Sequence, residues 1–510
     1  MRAQSLPSQP AAPCCSESGI APREVDFPYY TLQDGYQSTL NLVSDSPHSI
    51  DLSIVLYSAL GHTAIAPPFT IQPQQKLAID LGNLLTQMDL SGSGEFGEGS
   101  IAVMFMGTIM PVVGQVTITN PAQRLIHEAE MVENDPGRSD IPAVLDGLWW
   151  GLGGGRDARI VVANMASQQV TADVYLDFGG SRHASAPLMF APHELKTLSV
   201  TQLLTALGTS PAQAPAGGIT IIGHDTVPSL IAQGKITDSA TGFSSTIDFP
   251  DPAFQIASAL HASGLPIGTP PKDSPFAGAG TFIPQVVVRN LLSSPQAMTI
   301  TVEYPQPSGA NGAASSTGPA GLDPVAAQDG THSPPVGHYV MAGLRVPGYA
   351  TEDFSLSSVM GELPAPLPFC SIRIQYSGAP GSMEAAVSSV EQSQDLVVDA
   401  KPENEGNGWA GSGANPWHLD KNTESILFLT NESDKAARIG FSITANGVHY
   451  YLNDLRLQPH ETRAIDIRAL RDAQLADFRK SKIPADAADG SVNWVRLDNV
   501  PVMGRLMVIS

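Results

Sequence analysis

IQPQQKLAIDLGNLL (residues 71–85), FAPHELKTLSVTQLL (190–204), VPGYATEDFSLSSVM (346–360) and LQPHETRAIDIRALR (457–471) are four copies of one pattern. Asp80, Ser199, Ser355 and Asp466 fall in register, and each is a residue whose side chain can accept from an orphan N–H at a helix start. The residue before each cap is Ile79, Leu198, Phe354 or Ile465, and the fourth after it is Leu84, Leu203, Val359 or Leu470. An apolar residue on either side of a cap at that spacing is a hydrophobic staple. The pattern therefore predicts, in each copy, a helix of about two to three turns entered directly from a strand.

Outward from the caps the copies keep matching. Upstream of each cap, a strand runs into a polar elbow at Ser44, Asn164, Asn290 or Asn431, and a second alternating strand follows. A hairpin comes next, clearest at Asn446-Gly447, a pair suited to a type I′ turn. Gly179-Gly180 and Gly61 take that place in copies two and one. Each copy closes with two strands around a turn, opening at Gly99, Gly217, Cys370 and Gly490. Residues 101–116, uncharged but broken by Pro111, read as two such strands and not as a membrane span.

The caps lie 119, 156 and 111 residues apart, and the long interval is taken up by an insertion of Gly, Ala, Ser and Pro near 305–343. That composition predicts a loop. A unit of about 105–115 residues with some seven strands is domain-sized, and half-apolar strands must close sheet on sheet. The expected fold is all-β: four tandem β-sandwiches, each with one short capped helix in a crossover. The boundaries read as a disordered tail at 1–26, then repeats at 27–131, 145–250, 259–400 and 417–510. Strung end to end, four such domains would reach roughly 130–140 Å.

Composition narrows the function classes. Of 510 residues, 42% are hydrophobic and 15% charged, and 47 Gly with 42 Pro make 17%. That is above the average of roughly 12% but below the level of a disordered chain. Forty-nine acidic against 27 basic residues give −22, which disfavours nucleic acid and anionic membrane surfaces as partners. Residues 417–510 carry 12 basic and 12 acidic side chains, so the whole excess lies in the other 416.

No stretch has the residue types of a known reaction. Pro192-His193-Glu194 and Pro459-His460-Glu461 resemble acid–base pairs, but they fill one slot in two repeats, where a turn before the cap is needed. Gly151 to Asp157 precedes a strand, the wrong context for a phosphate loop. Asp420 to Glu424 and Asp486 to Asp489 have some oxygen-ligand spacing for calcium at a domain boundary, without the central glycine of a calcium loop. Cys14, Cys15 and Cys370 match neither a zinc site nor a disulfide framework, and Cys370 reads as a small buried apolar residue. Asn431-Glu432-Ser433 fits a glycosylation sequon but sits on the repeated elbow. The expectation is no cofactor, no metal and no catalytic residue.

Aromatics supply the one candidate ligand platform: Trp417 with Tyr450 and Tyr451, in repeat 4. Trp149-Trp150 and Trp417 precede strands and are expected to wedge against the preceding domain. In layout, with repeated sandwiches, low charge and Asn/Gly/Pro-rich elbows over residues 27–510, the chain resembles the tandem Ig-like, cell-adhesion-related β-sandwich arrays of bacterial surfaces. The resemblance implies a non-catalytic structural or adhesive role at the cell surface or outside the cell. Its contact would be a protein or glycan surface, or another copy through edge strands. A carbohydrate-binding array is the alternative, and an enzyme with an inter-domain site a third reading. The segment 1–25 has no apolar core of a signal peptide.

Overall fold

A computed structural model describes residues 21–509 except 45, 47, 74, 93, 108–111, 123–124, 134–143, 225–228, 239, 251–254, 273, 275, 307–335, 393–395, 406–411, 422, 453, 475 and 478. The fold is all-β, with 58% of residues in strands and 6% in helices. Every repeat is a pair of antiparallel sheets. The front sheet takes the first strand (Ala21–Thr31, Val144–Trp149, Ala259–Leu265, Ser412–His418), the sixth (Glu98–Gly107, Gly217–Gly223, Cys370–Tyr376, Asp489–Arg496) and the third (Ile50–Ser58, Val170–Phe178, Gln296–Pro305, Ala437–Ala445), in that spatial order. A fourth strand edges it. The back sheet is centred on the second strand (Gln37–Ser44, Asp157–Asn164, Phe282–Asn290, Glu424–Asn431). Beside it lie the fifth (Lys76–Asp80, Leu195–Ser199, Thr351–Ser355, Thr462–Asp466) and the seventh (Val112–Asn120, Leu230–Asp238, Met383–Glu391, Val502–Ile509). Repeats 1 to 3 add an eighth strand (Leu125–Glu130, Phe243–Ile247, Val397–Ala400). In an immunoglobulin domain the first strand pairs with the second; here it pairs with the sixth, so the likeness extends to the sandwich and not to its strand order.

Local chemistry explains the recurring pieces. Asp80, Ser199 and Asp466 accept from the N–H of Asn83, Gln202 and Ala469, capping helices at Leu81–Gln87, Val200–Ala206 and Ile467–Asp472. In repeat 3, where the expectation was a helix, Ser355 caps only a single 3-10 turn, Leu356–Ser358. Two serines and then Gly361 and Pro364 follow, and such residues do not propagate a helix. His193 and His460 have φ of 57° and 58°, each after a proline, and the N–H of Glu194 and Glu461 returns to the carbonyls of Ala191 and Gln458. That is a type II turn, so the Pro-His-Glu pairs are turns. The buried elbows are clasps. Asn431 Nδ2 donates to the carbonyls of Lys435 and Gln458, while its Oδ1 accepts from Ser433 N–H. Asn164 and Asn290 do the same. A glycan on Asn431 would replace one Nδ2 hydrogen and so remove at least one of the two donated bonds.

Each sandwich core rests on a large residue set across from a small one. Tyr30 pairs with Gly99, Trp149 with Gly217 and Trp417 with Gly490; in repeat 3, Leu265 pairs with Cys370. A Cβ on Gly217 would lie 2.3 Å from the Trp149 ring. Cys370 thus holds the slot that glycine holds elsewhere, and burial pushes its thiol pKa up, leaving an inert side chain. The tryptophans fill their own sandwiches and do not wedge against the preceding repeat.

The four repeats do not string out; they close into a ring. At the first joint, Val161, Ala163 and Ile231 from the back sheet of repeat 2 join the core of repeat 1, and Leu195 N–H donates to Ala59 O (3.1 Å). At the second, Val287 and Arg289 from the back of repeat 3 enter the front of repeat 2. At the third, Ile426, Phe428 and Met507 of repeat 4 meet Phe276 and Phe369 of repeat 3. The fourth joint sets the back of repeat 1 (second, fifth and seventh strands) against the front of repeat 4 (first and sixth strands). There Val43, Thr444 and Ser491, all facing out of their own sandwiches, are buried. In the middle, the eighth strand of repeat 2 touches those of repeats 1 and 3, and Lys401 pairs with Glu130 across the ring. The extended array of 130–140 Å is overturned, because both faces of every sandwich are taken by neighbours.

The boundaries shift accordingly. Residues 21–26, assigned to the tail, belong to the first strand and pair with residues 102–107; residues 1–20 lie outside the described residues. Repeat 4 begins at Ser412 and not at Trp417. Residues 336–343 of the insertion form a strand on the third strand of repeat 3, and 307–335 lie outside the described residues, as does Trp409.

Candidate functional site: a histidine–carboxylate cluster at the third joint

The aromatic platform does not assemble. Trp417 and Tyr450 are core side chains, and only Tyr451 reaches solvent, against His449 and under Arg479. Successive residues of a strand face opposite ways, so Tyr450 and Tyr451 cannot share a surface. The acidic loop Asp420–Glu424 holds a cation already: Arg468 bonds Glu424 and the carbonyls of Asp420 and Thr423. Among the described residues, no three or more His, Cys, Asp or Glu side chains are arranged as a metal site.

A concentrated set of ionisable groups lies where repeats 3 and 4 meet, around Glu303. Ile300 and Val302 of its strand face the core of repeat 3, so Glu303 points outward to the joint. His261, on the first strand, places Nε2 3.2 Å from Glu303 Oε2, and both are buried. His338, across the strand pair from Glu303, lies 3.9 Å from Oε1. From repeat 4, the positive φ of His460 throws its ring over the joint, 3.7 Å from Oε1, while its Nε2 meets Asp434 at 2.8 Å. Ser371 and Thr462 share a hydrogen bond of 2.8 Å beside it. A cavity of about 20 Å³ lined by Glu303, Phe369, His460 and Thr462 sits in the seam, enough for one water.

The electrostatics favour the ion pair. Burial would lower the pKa of His261, but its bond to Glu303 and that carboxylate's charge outweigh burial and raise it. Burial would raise Glu303, and His261, with His460 and His338 beyond it, holds it below the ordinary carboxylate value. The cluster holds an ion pair on the face that repeat 3 turns to repeat 4; a one-water cavity leaves no room for a substrate.

The same turn residue works at other joints. His193 stacks on Tyr57 of repeat 1, ring centroids 4.1 Å apart, and Tyr349 lies under the guanidinium of Arg182 of repeat 2. The sequence signal was the positive-φ slot after the proline, read as a turn but not as the tooth that engages the preceding repeat. A second buried cluster sits at the second joint. Arg289, without solvent exposure, bonds Asp177 (2.6 Å) and Glu384 (3.1 Å), with Asp146 at 3.5 Å. Its guanidinium lies flat on Gly218, where a Cβ would come within 2.1 Å of Nε. Burial holds Glu384 up at about 8 against the pull of Arg289. Neither a protein-family model nor a curated protein matches the chain.

Proposed function

We propose that the protein is a non-catalytic structural scaffold of the cell surface or extracellular space, a ring that offers edges and loops to an adhesive partner. The observation that carries this reading is the closure of all four joints: sheet faces are spent on neighbouring repeats, and the ionisable clusters around Glu303 and Arg289 lie inside joints. What is left outward is the rim, with its turns and edge strands, suited to a protein or glycan surface. No helix among the described residues is long and apolar enough to cross a membrane. A carbohydrate-binding role would have to rest on Tyr451 alone among the three platform aromatics. Protease shaving of intact native cells, with immunogold labelling, tests the location. Release from the surface is the expected result, and protection until lysis contradicts it.

A further inference from the structure

The four repeats treat the outer edge of the front sheet differently. In repeats 1, 2 and 4 the fourth strand is broken into two pieces of three or four residues: Thr63–Ile65 and Phe69–Ile71, Ser181–Ala184 and Leu188–Phe190, Val448–Tyr451 and Leu455–Leu457. Pro67 and Pro68 interrupt the first, Pro187 the second. Short, broken edges cannot template another strand. Repeat 3 keeps one strand of 11 residues, Val336–Val346, which among the described residues pairs with Gln296–Pro305 alone. Its register shifts only near Gly343, whose φ is 74°, so among the described residues Val336–Ala342 is a continuous open edge. His338, Val340 and Ala342 are exposed on one face, while Tyr339 and Met341 pack on the core of repeat 3.

We propose that this edge is where a second copy of the chain docks, the two Val336–Val346 strands pairing antiparallel about a two-fold axis near Val340. Three observations select a second copy. Arg345 is the one permanently charged side chain in the strand, so it is a neutral line on a chain of −22. Two such chains repel least where the approaching strands carry no acid. An antiparallel strand pairs with itself isologously, which closes at a dimer and leaves no free edge. The exposed row also matches itself, since Val340, 56% exposed, would meet Val340 of its counterpart. The dimer deepens the scaffold reading and rests on it for its use, but sedimentation and surface shaving can fail separately.

Sedimentation velocity of the full chain, from roughly 1 to 100 µM, reads the outcome. The wild type is expected to shift from monomer to dimer with concentration. Val340→Lys should weaken the dimer at least about tenfold, because like charges would face each other across the axis. Ile65→Lys, a still more exposed position on the broken edge of repeat 1, should leave it unchanged. Val340→Cys in a Cys14→Ser, Cys15→Ser background should give a covalent dimer with a short bis-maleimide cross-linker, since directly opposed Cβ atoms lie about 4.5–5.5 Å apart. A wild type that stays monomeric throughout, a Val340→Lys dimer of unchanged affinity, or no cross-link through Cys at 340 overturns the proposal.

Discussion

Three residues before the buried elbow, the second strand carries Val161, Val287, Phe428 or Asn41; one residue before it stand Ala163, Arg289, Thr430 or Val43. These are equivalent docking positions at the four joints, and the second and fourth joints use them in opposite ways. At the second, Arg289 is sealed among Asp146, Asp177 and Glu384. At the fourth, Asn41 bonds Thr117 of its own sheet, and the facing surface of repeat 4 offers Ser442, Thr444 and Ser491. A sheet face in this ring can be covered by oil, by a compensated ion cluster or by small polar groups. The three fillers are not equal when a piece is removed.

The sharpest way to break that comparison is Arg289→Met. It removes the cation that faces Asp146 and Glu384 and leaves Asp177 only its two bonds from Arg182, and the urea-unfolding free energy should fall by about 3 kcal/mol. Adding Glu384→Gln should recover part of the loss, whereas Asp177 is kept because Arg182 bonds it. The third joint should respond to pH. His261, with its pKa raised in the fold, stabilises fully below the ordinary imidazole value of about 6.5, and its contribution is lost as pH rises through the raised value. Glu303, with its pKa lowered, contributes fully above the ordinary value of about 4.3, lost as pH falls through the lowered one. Stability from this pair should therefore be greatest between about pH 4.3 and 6.5, with about 1.5–3 kcal/mol at stake. A His261→Gln, Glu303→Gln variant should flatten the profile.

Gly218→Ala sharpens the second joint without touching a charge. Its Cβ would push into an Arg289 side chain that cannot swing away, at about 1–3 kcal/mol. The smallest effect is expected at the fourth joint. Asn41→Ala should cost about 1 kcal/mol, because Asn41 Nδ2 makes two neutral, partly exposed hydrogen bonds, to Thr117 Oγ1 and to the Thr39 carbonyl. A loss at Asn41 as large as that at Arg289 would contradict the ranking.

The repeat, the caps and the Asn446-Gly447 hairpin were legible because they depend on residues close in sequence; φ of 50° and 74° at that pair is the turn the sequence asks for. Closure was not, because it joins the strands at 37–44, 76–80 and 112–120 to those at 412–418 and 489–496. A signal for docking was nonetheless present. A strand with one wet face alternates, whereas Ile160 to Ala163, Val286 to Val288 and Ile426 to Leu429 are continuous apolar runs, the mark of burial on both faces. Only repeat 1 interrupts its run, at Asn41, and its joint is the polar one. The platform failed for a related reason. The facing of Trp417 is set by its partner Gly490, a register that spacing along the chain does not reveal.

Small-angle X-ray scattering, extrapolated to zero concentration, addresses the closed ring most directly. A compact body of 510 residues has a radius of gyration of about 24 Å, and the ring predicts a value close to that. Four sandwiches end to end, about 130–140 Å long, would give about 40 Å. A radius near the larger figure would show that the fourth joint is open in solution and would contradict the account.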